Sequence, residues 1–299
     1  MRGPFPELTQ LRTGAEEEVT MDTADEGSHR YVLGNDAQEL ARLDFQANLI
    51  DAPTRLLLRE AGLRTGMRVL DLGTGLGHVA RIIGRLVGEV GSVLGIDQSP
   101  RALAVAQQRI EKEGDKNVSL AVGDVRSWVA QEKFDAIIGR LILFHVLDPL
   151  LVVRHHLGNL RPGGLFVAID FDVMAARTEP HVPLAGEALS WVARAFELGG
   201  ASPSIGARLG TTLEQAGLND VRTFGIQAYL PAHNPAGPAL LAGIVRSLAG
   251  EITRRGIATP EQMDLPTLER RIADALARAD AVVLLPTVAG AWGQWSTGN

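Results

Sequence analysis

The chain has 299 residues, 35 acidic against 29 basic, a formal charge of −6 and no cysteine. The missing cysteines exclude disulfides, thiolate metal sites and a cysteine nucleophile, and the negative charge argues against a nucleic-acid partner. An apolar fraction of 45% suits one large globular domain or two modest ones, and no apolar run reaches the ~18 residues that span a bilayer.

Residues 1–30 carry Glu16, Glu17 and Glu18 and no apolar signal region. They read as a mobile arm, and a reducing cytoplasm is the expected location. Residues 31–62 read as a helical cap, with Leu40, Leu43, Ala47 and Ile50 on one stripe. From Met67 the pattern changes. Val69, Leu70 and Leu72 make a short apolar strand of the kind buried on both faces of a parallel sheet. Asp71 lies in it, and Gly73, Gly75 and Gly77 follow as a sharp turn to which a ligand could come close. Val79, Ile82, Ile83, Leu86 and Val87 then fall at helical spacing.

Strand, glycine turn and helix together form the nucleotide-site unit of an open α/β sheet. The dinucleotide fingerprint needs a glycine where this chain has His78. An anionic pyrophosphate also gains nothing from the Asp71 carboxylate, whereas a ligand with an ammonium and a sulfonium would. The run Asp71 to Gly77 resembles the first motif of the class I S-adenosylmethionine (SAM)-dependent methyltransferases.

The following segments extend the resemblance. Ser92–Asp97 is a second strand ending in an acid, with Ser99-Pro100 as N-cap and first helical residue. Val118–Val122 is a third strand leading into Gly123-Asp124-Val125, and Phe134–Ile138 a fourth leading into Gly139-Arg140. Asp148-Pro149 starts a helix, and Leu165–Ile169 is a fifth strand. The resemblance implies that Asp97 accepts the ribose hydroxyls and that Gln98 lies beside the adenine. It implies further that Asp124 and the Val125 amide meet the adenine edge. Arg140 would hold the SAM carboxylate or an acceptor anion.

Ala207–Ala216 reads as a helix ended by Gly217, residues 220–230 as a sixth strand, and 281–288 as a seventh that enters Ala289–Gly293. The family implies a Rossmann-like, mostly parallel seven-stranded sheet in the order 3-2-1-4-5-7-6. Residues 63–299 would form this domain, with helical lid insertions at about 173–203 and 231–280. Tyr31-Val-Leu-Gly34, Glu39 to Gln46 and Leu285 to Trp292 look like a bacterial small-molecule group allied to the ubiquinone/menaquinone C-methyltransferases. In that group Tyr31 and Gln46 would close over the methionine end of SAM.

The donor is therefore legible and the acceptor much less so, because methyl transfer depends mostly on alignment. His145 is the candidate base. Asp170 and Asp172 could act as base, orient an amine or hold Mg²⁺ for a diphosphate substrate, although two acids without a third obvious ligand are a weak metal signal. Trp191, Phe196 and Trp292 could form an apolar acceptor wall, although each taken singly reads as core packing. His155 and His156 read as solvated. The expected function is SAM-dependent methylation of a small, largely apolar metabolite at carbon or oxygen, releasing S-adenosylhomocysteine, by an enzyme that forms a homodimer or larger homo-oligomer. The alternatives are a non-catalytic SAM-binding module and a methyltransferase of macromolecules. The chain lacks the Asn/Asp-Pro-Pro-Tyr run of nucleic-acid amine methylation after its fourth strand.

Overall fold

The computed structural model describes residues 50–296. The expected arm 1–30, most of the cap, Tyr31 and Gln46 lie outside these residues. The described chain opens with α1 (residues 50–60). It continues with β1 (Arg68–Leu72), α2 (His78–Val87), β2 (Ser92–Asp97), α3 (Pro100–Glu113), β3 (Val118–Val122), β4 (Phe134–Arg140), α4 (Pro149–Leu157) and β5 (Leu160–Asp172). Then come β6 (Arg177–Glu179), α5 (Pro183–Leu198), α6 (Ile205–Ala216), β7 (Asn219–Ile226) and β8 (Tyr229–Leu230). The last elements are α7 (Ala236–Arg254), α8 (Pro260–Met263), α9 (Leu265–Ala279), β9 (Val282–Leu284) and β10 (Thr287–Gln294).

The main sheet has seven strands in the order β3-β2-β1-β4-β5-β10-β7. Numbered within this sheet, that is the expected 3-2-1-4-5-7-6. Strands β1 to β5 are parallel, and β10 runs antiparallel to both of its neighbours. Side chains alternate across a strand, so each apolar run feeds two cores. Val69, Ala136, Ile138, Val167 and Ile169 pack in one core with α1 and α2. Leu70, Leu72, Ile137, Phe166 and Ala168 pack in the other with α4, α5, α6, α7 and α9. Ser99 and Asp148 cap α3 and α4 through bonds from Ala102 N and Leu151 N.

The end of the chain departs from the expected strands. The sixth stops at Ile226 and the seventh starts only at Thr287, after Pro286. The residues beyond each break form a second, antiparallel sheet in the order β6-β9-β8. Pro286 has no N–H for a ladder, and it marks the change from β9 to β10. Gln227 bridges the breaks, its Nε2 donating to Ala175 O (3.1 Å) and Leu285 O (2.9 Å). The strands of this sheet extend β5 and β7 and precede β10, so it stands at the carboxyl end of the parallel strands.

Helix α6 approaches β5 closely. A Cβ on Gly206 would lie 2.4 Å from Asp172 N and 2.6 Å from Phe171 C. Both are backbone atoms, so no rotamer change relieves the clash. Alanine is the better helix former, yet Gly206→Ala is expected to destabilise the protein by about 1–3 kcal/mol. Gly210→Ala, whose Cβ meets only the Thr223 methyl, should cost less. Urea midpoints of the two variants test the difference.

Candidate functional site

The carboxyl ends of β1, β2 and β4 converge on one patch. Gly73, Gly75 and Gly77 have φ of 64°, 52° and 77°, a left-handed region that glycine adopts without steric cost. A Cβ at Gly73 would also lie 2.6 Å from Ile142 Cδ1, so the segment after β4 packs directly on the turn. The Asp97 carboxylate locks the turn in place. Its Oδ2 accepts Gly75 N (2.9 Å), and its Oδ1 accepts Ser99 N (2.8 Å). Each oxygen keeps acceptor capacity beyond these bonds. Gln98 is exposed beside it.

Asp71 is 1% exposed, and its Oδ2 has no hydrogen-bond partner among the described residues. The Thr74 hydroxyl is likewise buried and makes no hydrogen bond of normal geometry, although it faces the Asp71 carboxyl and favours its ionised form. Burial pushes the Asp71 carboxyl up to about 7, opposed first by the Thr74 hydroxyl and then by the Arg140 guanidinium. Arg140 is itself buried and lowered to about 10 by desolvation, with Asp51 and Asp71 opposing. Its Nη1 donates to Thr54 Oγ1 (3.1 Å) and lies 3.8 Å from Asp51 Oδ1, both on α1. Arg140 thus works inside a buried charge cluster and does not stand open to solvent.

Gly123, Asp124 and Val125 follow β3, beside this patch. Gly123 N donates to Asp97 O at 3.0 Å. The Asp124 carboxylate is taken up by Arg126, which reaches it with Nε (2.9 and 3.0 Å), Nη2 (2.5 Å) and its own backbone N–H (2.8 Å). This side-chain hydrogen bonding holds Asp124 below the usual carboxylate range.

On the opposite face of the sheet lie Asp170 and Asp172, two apart on β5. Asp170 is 0% exposed with both carboxylate oxygens unpartnered, and Asp172 Oδ1 is buried and unpartnered. Burial raises the Asp170 pKa well above the usual range, opposed by the Phe144 and Leu143 amides that it faces. Those amides belong to a 3₁₀ turn, Leu143–His145, that carries the candidate base. Leu141, just before it, has φ 55°, a strained value for a residue with a Cβ, as functional turns often show. The His145 ring meets Phe144 edge to face at 5.0 Å, and Phe144 meets Phe196 of α5 at 4.9 Å.

One sequence expectation needs correction, and the structure decides another between its two readings. His156 is fully buried, and His155 is half-buried with its Nε2 2.8 Å from Trp128 O, so neither is solvated. Trp292 packs with Leu57 in the core on the α1 face, away from the Asp170 side, and Phe196 is 5% exposed in the other core. Only Trp191, half-buried, remains as wall material. Sequence reasoning missed Asp51, Thr54 and Thr74, which reach the patch through long-range packing. It also missed Arg126, although its place two residues after Asp124 is a local turn signal. No group of three or more His, Asp or Glu side chains that could hold a metal ion is present among the described residues.

Comparison with known proteins adds to this geometry. A family model described as a methyltransferase domain matches residues 63–211. An arsenite methyltransferase of Aquipseudomonas alcaligenes is 36% identical over 110 residues, 34% of this chain and 32% of that protein. A protein-L-isoaspartate O-methyltransferase of Thermotoga maritima is 38% identical over 69 residues, 23% of this chain and 22% of that protein. The chain thus aligns with about a third or less of the length of these relatives. The structure of the YcgJ protein from Bacillus subtilis, 18% identical, superposes with a TM-score of 0.53 over 82% of this chain and 98% of that one. At that identity the likeness is one of fold.

The Asp71 carboxyl links the site to stability. The unfolded chain ionises this acid near pH 4, the folded chain only near 7, so ionisation removes stability as pH rises through that window. Asp71→Asn is expected to unfold like the wild type at pH 4 and to be about 2–4 kcal/mol more stable at pH 8. Urea denaturation at the two pH values reads the difference, and an equal offset at both would contradict it.

Proposed function

Since the chain belongs, through residues 63–211, to the class I SAM-dependent methyltransferases, we propose that it methylates a small, largely apolar metabolite at carbon or oxygen. The observation that carries this reading is the buried, unpartnered Asp71 oxygen at the end of β1, beside three left-handed glycines. An uncompensated buried carboxylate costs several kcal/mol, and an ammonium placed there would return it to its ionised form. The residues present fit the donor. Asp71 and Thr74 would take the ammonium end, Asp97 the ribose hydroxyls with its spare lone pairs, and Gly123 to Val125 the adenine. Bound SAM supplies a methyl group on a sulfonium, whose leaving group is a neutral thioether.

The protein's part is then to align and to exclude water. The turn Leu143–His145 sits between the donor patch and β5, and its neighbours Leu141, Ile142, Val146 and Leu147 are all apolar. His145 is the group offered to take a proton from an acceptor hydroxyl or acidic carbon, worth about 10²–10⁴-fold where one must leave. Asp170, shut away against the Leu143 and Phe144 amides, acts through the turn rather than on the acceptor. Helix α5, which closes on Phe144 through Phe196, and the helices packed on it form the lid over the acceptor, and a cytoplasmic homo-oligomer is the working assembly. The family supports the donor; the apolar turn supports the acceptor class.

Calorimetric titration with S-adenosylhomocysteine tests the donor. Wild type should bind, and Asp97→Ala should weaken binding by about 100-fold through lost charge-assisted bonds. Binding of NADH with no response to S-adenosylhomocysteine would refute the reading. Arg126→Ala releases Asp124 from an exposed ion pair and should tighten binding by about two- to five-fold; weaker binding would mean that Arg126 itself contacts the donor.

A further inference from the structure

The wall after β3, residues 123–133, contains no helix or strand, yet by the reading above it carries the adenine-binding residues. Backbone bonds within it close only a local turn, with Ser127 N and Trp128 N donating to Asp124 O. Gly123 N ties the start of the wall to β2 through Asp97 O, and α4 with the residues just after it fixes the turn that follows. His156 Nε2 lies 2.8 Å from Val125 O, Asn159 Nδ2 lies 3.0 Å from His156 Nδ1, and Ala130 N donates to Asn159 Oδ1 at 3.1 Å.

The chemistry of these groups leaves one arrangement. A carbonyl only accepts, so His156 Nε2 carries the proton and Nδ1 is a bare lone pair. Asn159 then donates through its amide nitrogen, and its oxygen is free for the Ala130 N–H. Every buried polar atom of this chain of bonds is satisfied in a single direction, from Ala130 through Asn159 and His156 to Val125. Burial pushes the His156 imidazole down to about 4, with His155 beside it acting in the same sense, so the ring stays neutral. His155 adds a parallel contact from its Nε2 to Trp128 O at 2.8 Å. The Trp128 ring in turn backs Gly123, where a Cβ would lie 2.6 Å from Trp128 Cδ1.

We propose that His156 and Asn159 are positioning residues for the methyl donor, holding the Asp124–Val125 turn in the conformation that receives the adenosine half. The proposal rests on the donor-site reading. Removing His156 leaves the Val125 carbonyl and the Asn159 amide unpaired in a buried place, and the wall is free to shift.

The test is titration of the full chain with S-adenosylhomocysteine and with 5′-methylthioadenosine, which keeps the adenosine and lacks the amino acid. A wild type that binds neither overturns the donor reading and this proposal together. Where wild type binds, His156→Ala should weaken both ligands by about ten-fold at unchanged stoichiometry. His156→Gln, which restores a donor towards Val125, should recover most of that loss. Asn159→Leu removes both the acceptor for Ala130 and the donor to Nδ1, and should weaken both ligands by about three- to ten-fold. It decides the matter if His156→Ala does not fold. Wild-type affinity in the folded variants overturns the proposal and leaves the donor reading standing. So does a loss confined to S-adenosylhomocysteine, which would place the effect at the amino-acid end.

Discussion

Taking the Asp71 carboxyl out of water is the constraint around which the rest of this structure is arranged. A carboxylate at the end of a central strand is far from solvent, and its charge must be met or suppressed. Arg140 on the neighbouring strand meets part of it from within the same burial. That guanidinium is anchored in turn by Thr54 and Asp51, so α1 is bound to the sheet by polarity as well as by Leu57 and Leu58. The remaining demand, an oxygen with no hydrogen-bond partner, is what a cationic ligand would meet on the proposed reading. Stability and ligand capture are therefore opposed at one atom, as they commonly are in sites evolved for binding.

The two faces of the sheet divide the chemistry. Asp71, Asp97 and Arg140 share strand parity with the residues that pack on α1 and α2, and theirs is the side proposed to hold the donor. Asp170 and Asp172 share parity with Phe166 and Ala168 and look towards the turn that bears His145. Alternation along β-strands thus separates two sets of acids that are close in the sheet. The segment after β4 is the place where the sides meet, since Ile142 lies on Gly73 while the Leu143 and Phe144 amides face Asp170.

Much of this was legible in the sequence, and the failures have physical causes. Strands β2 and β3 have the bounds that local pattern predicts, because each is set by turn residues in its own neighbourhood. Glycine spacing likewise announced the turn after β1. The terminal strands were misread because one apolar run, 281–288, serves two sheets, and only Pro286 marks the change. His156 looked solvated because its partners, Val125 and Asn159, include a loop carbonyl that no periodicity describes. Trp292 stays open between wall and core in the sequence, which does not show which face of β10 it takes. Arg140 could be placed at a strand end but not under α1, whose Asp51 is far away along the chain.

The small sheet has a bearing on how such a protein diversifies. Leu230 on β8 pairs with Val283 on β9, so the fifty-odd residues between them leave and return at neighbouring points. A closed excursion of this kind can lengthen at little entropic cost, since closure grows only with the logarithm of length. Its helices can be rebuilt or exchanged while β1, β2 and their acids stay as they are. On the proposed reading, novelty in what is modified would accumulate there, on one side of a hinge-like stitch, with the reagent-holding half inherited intact.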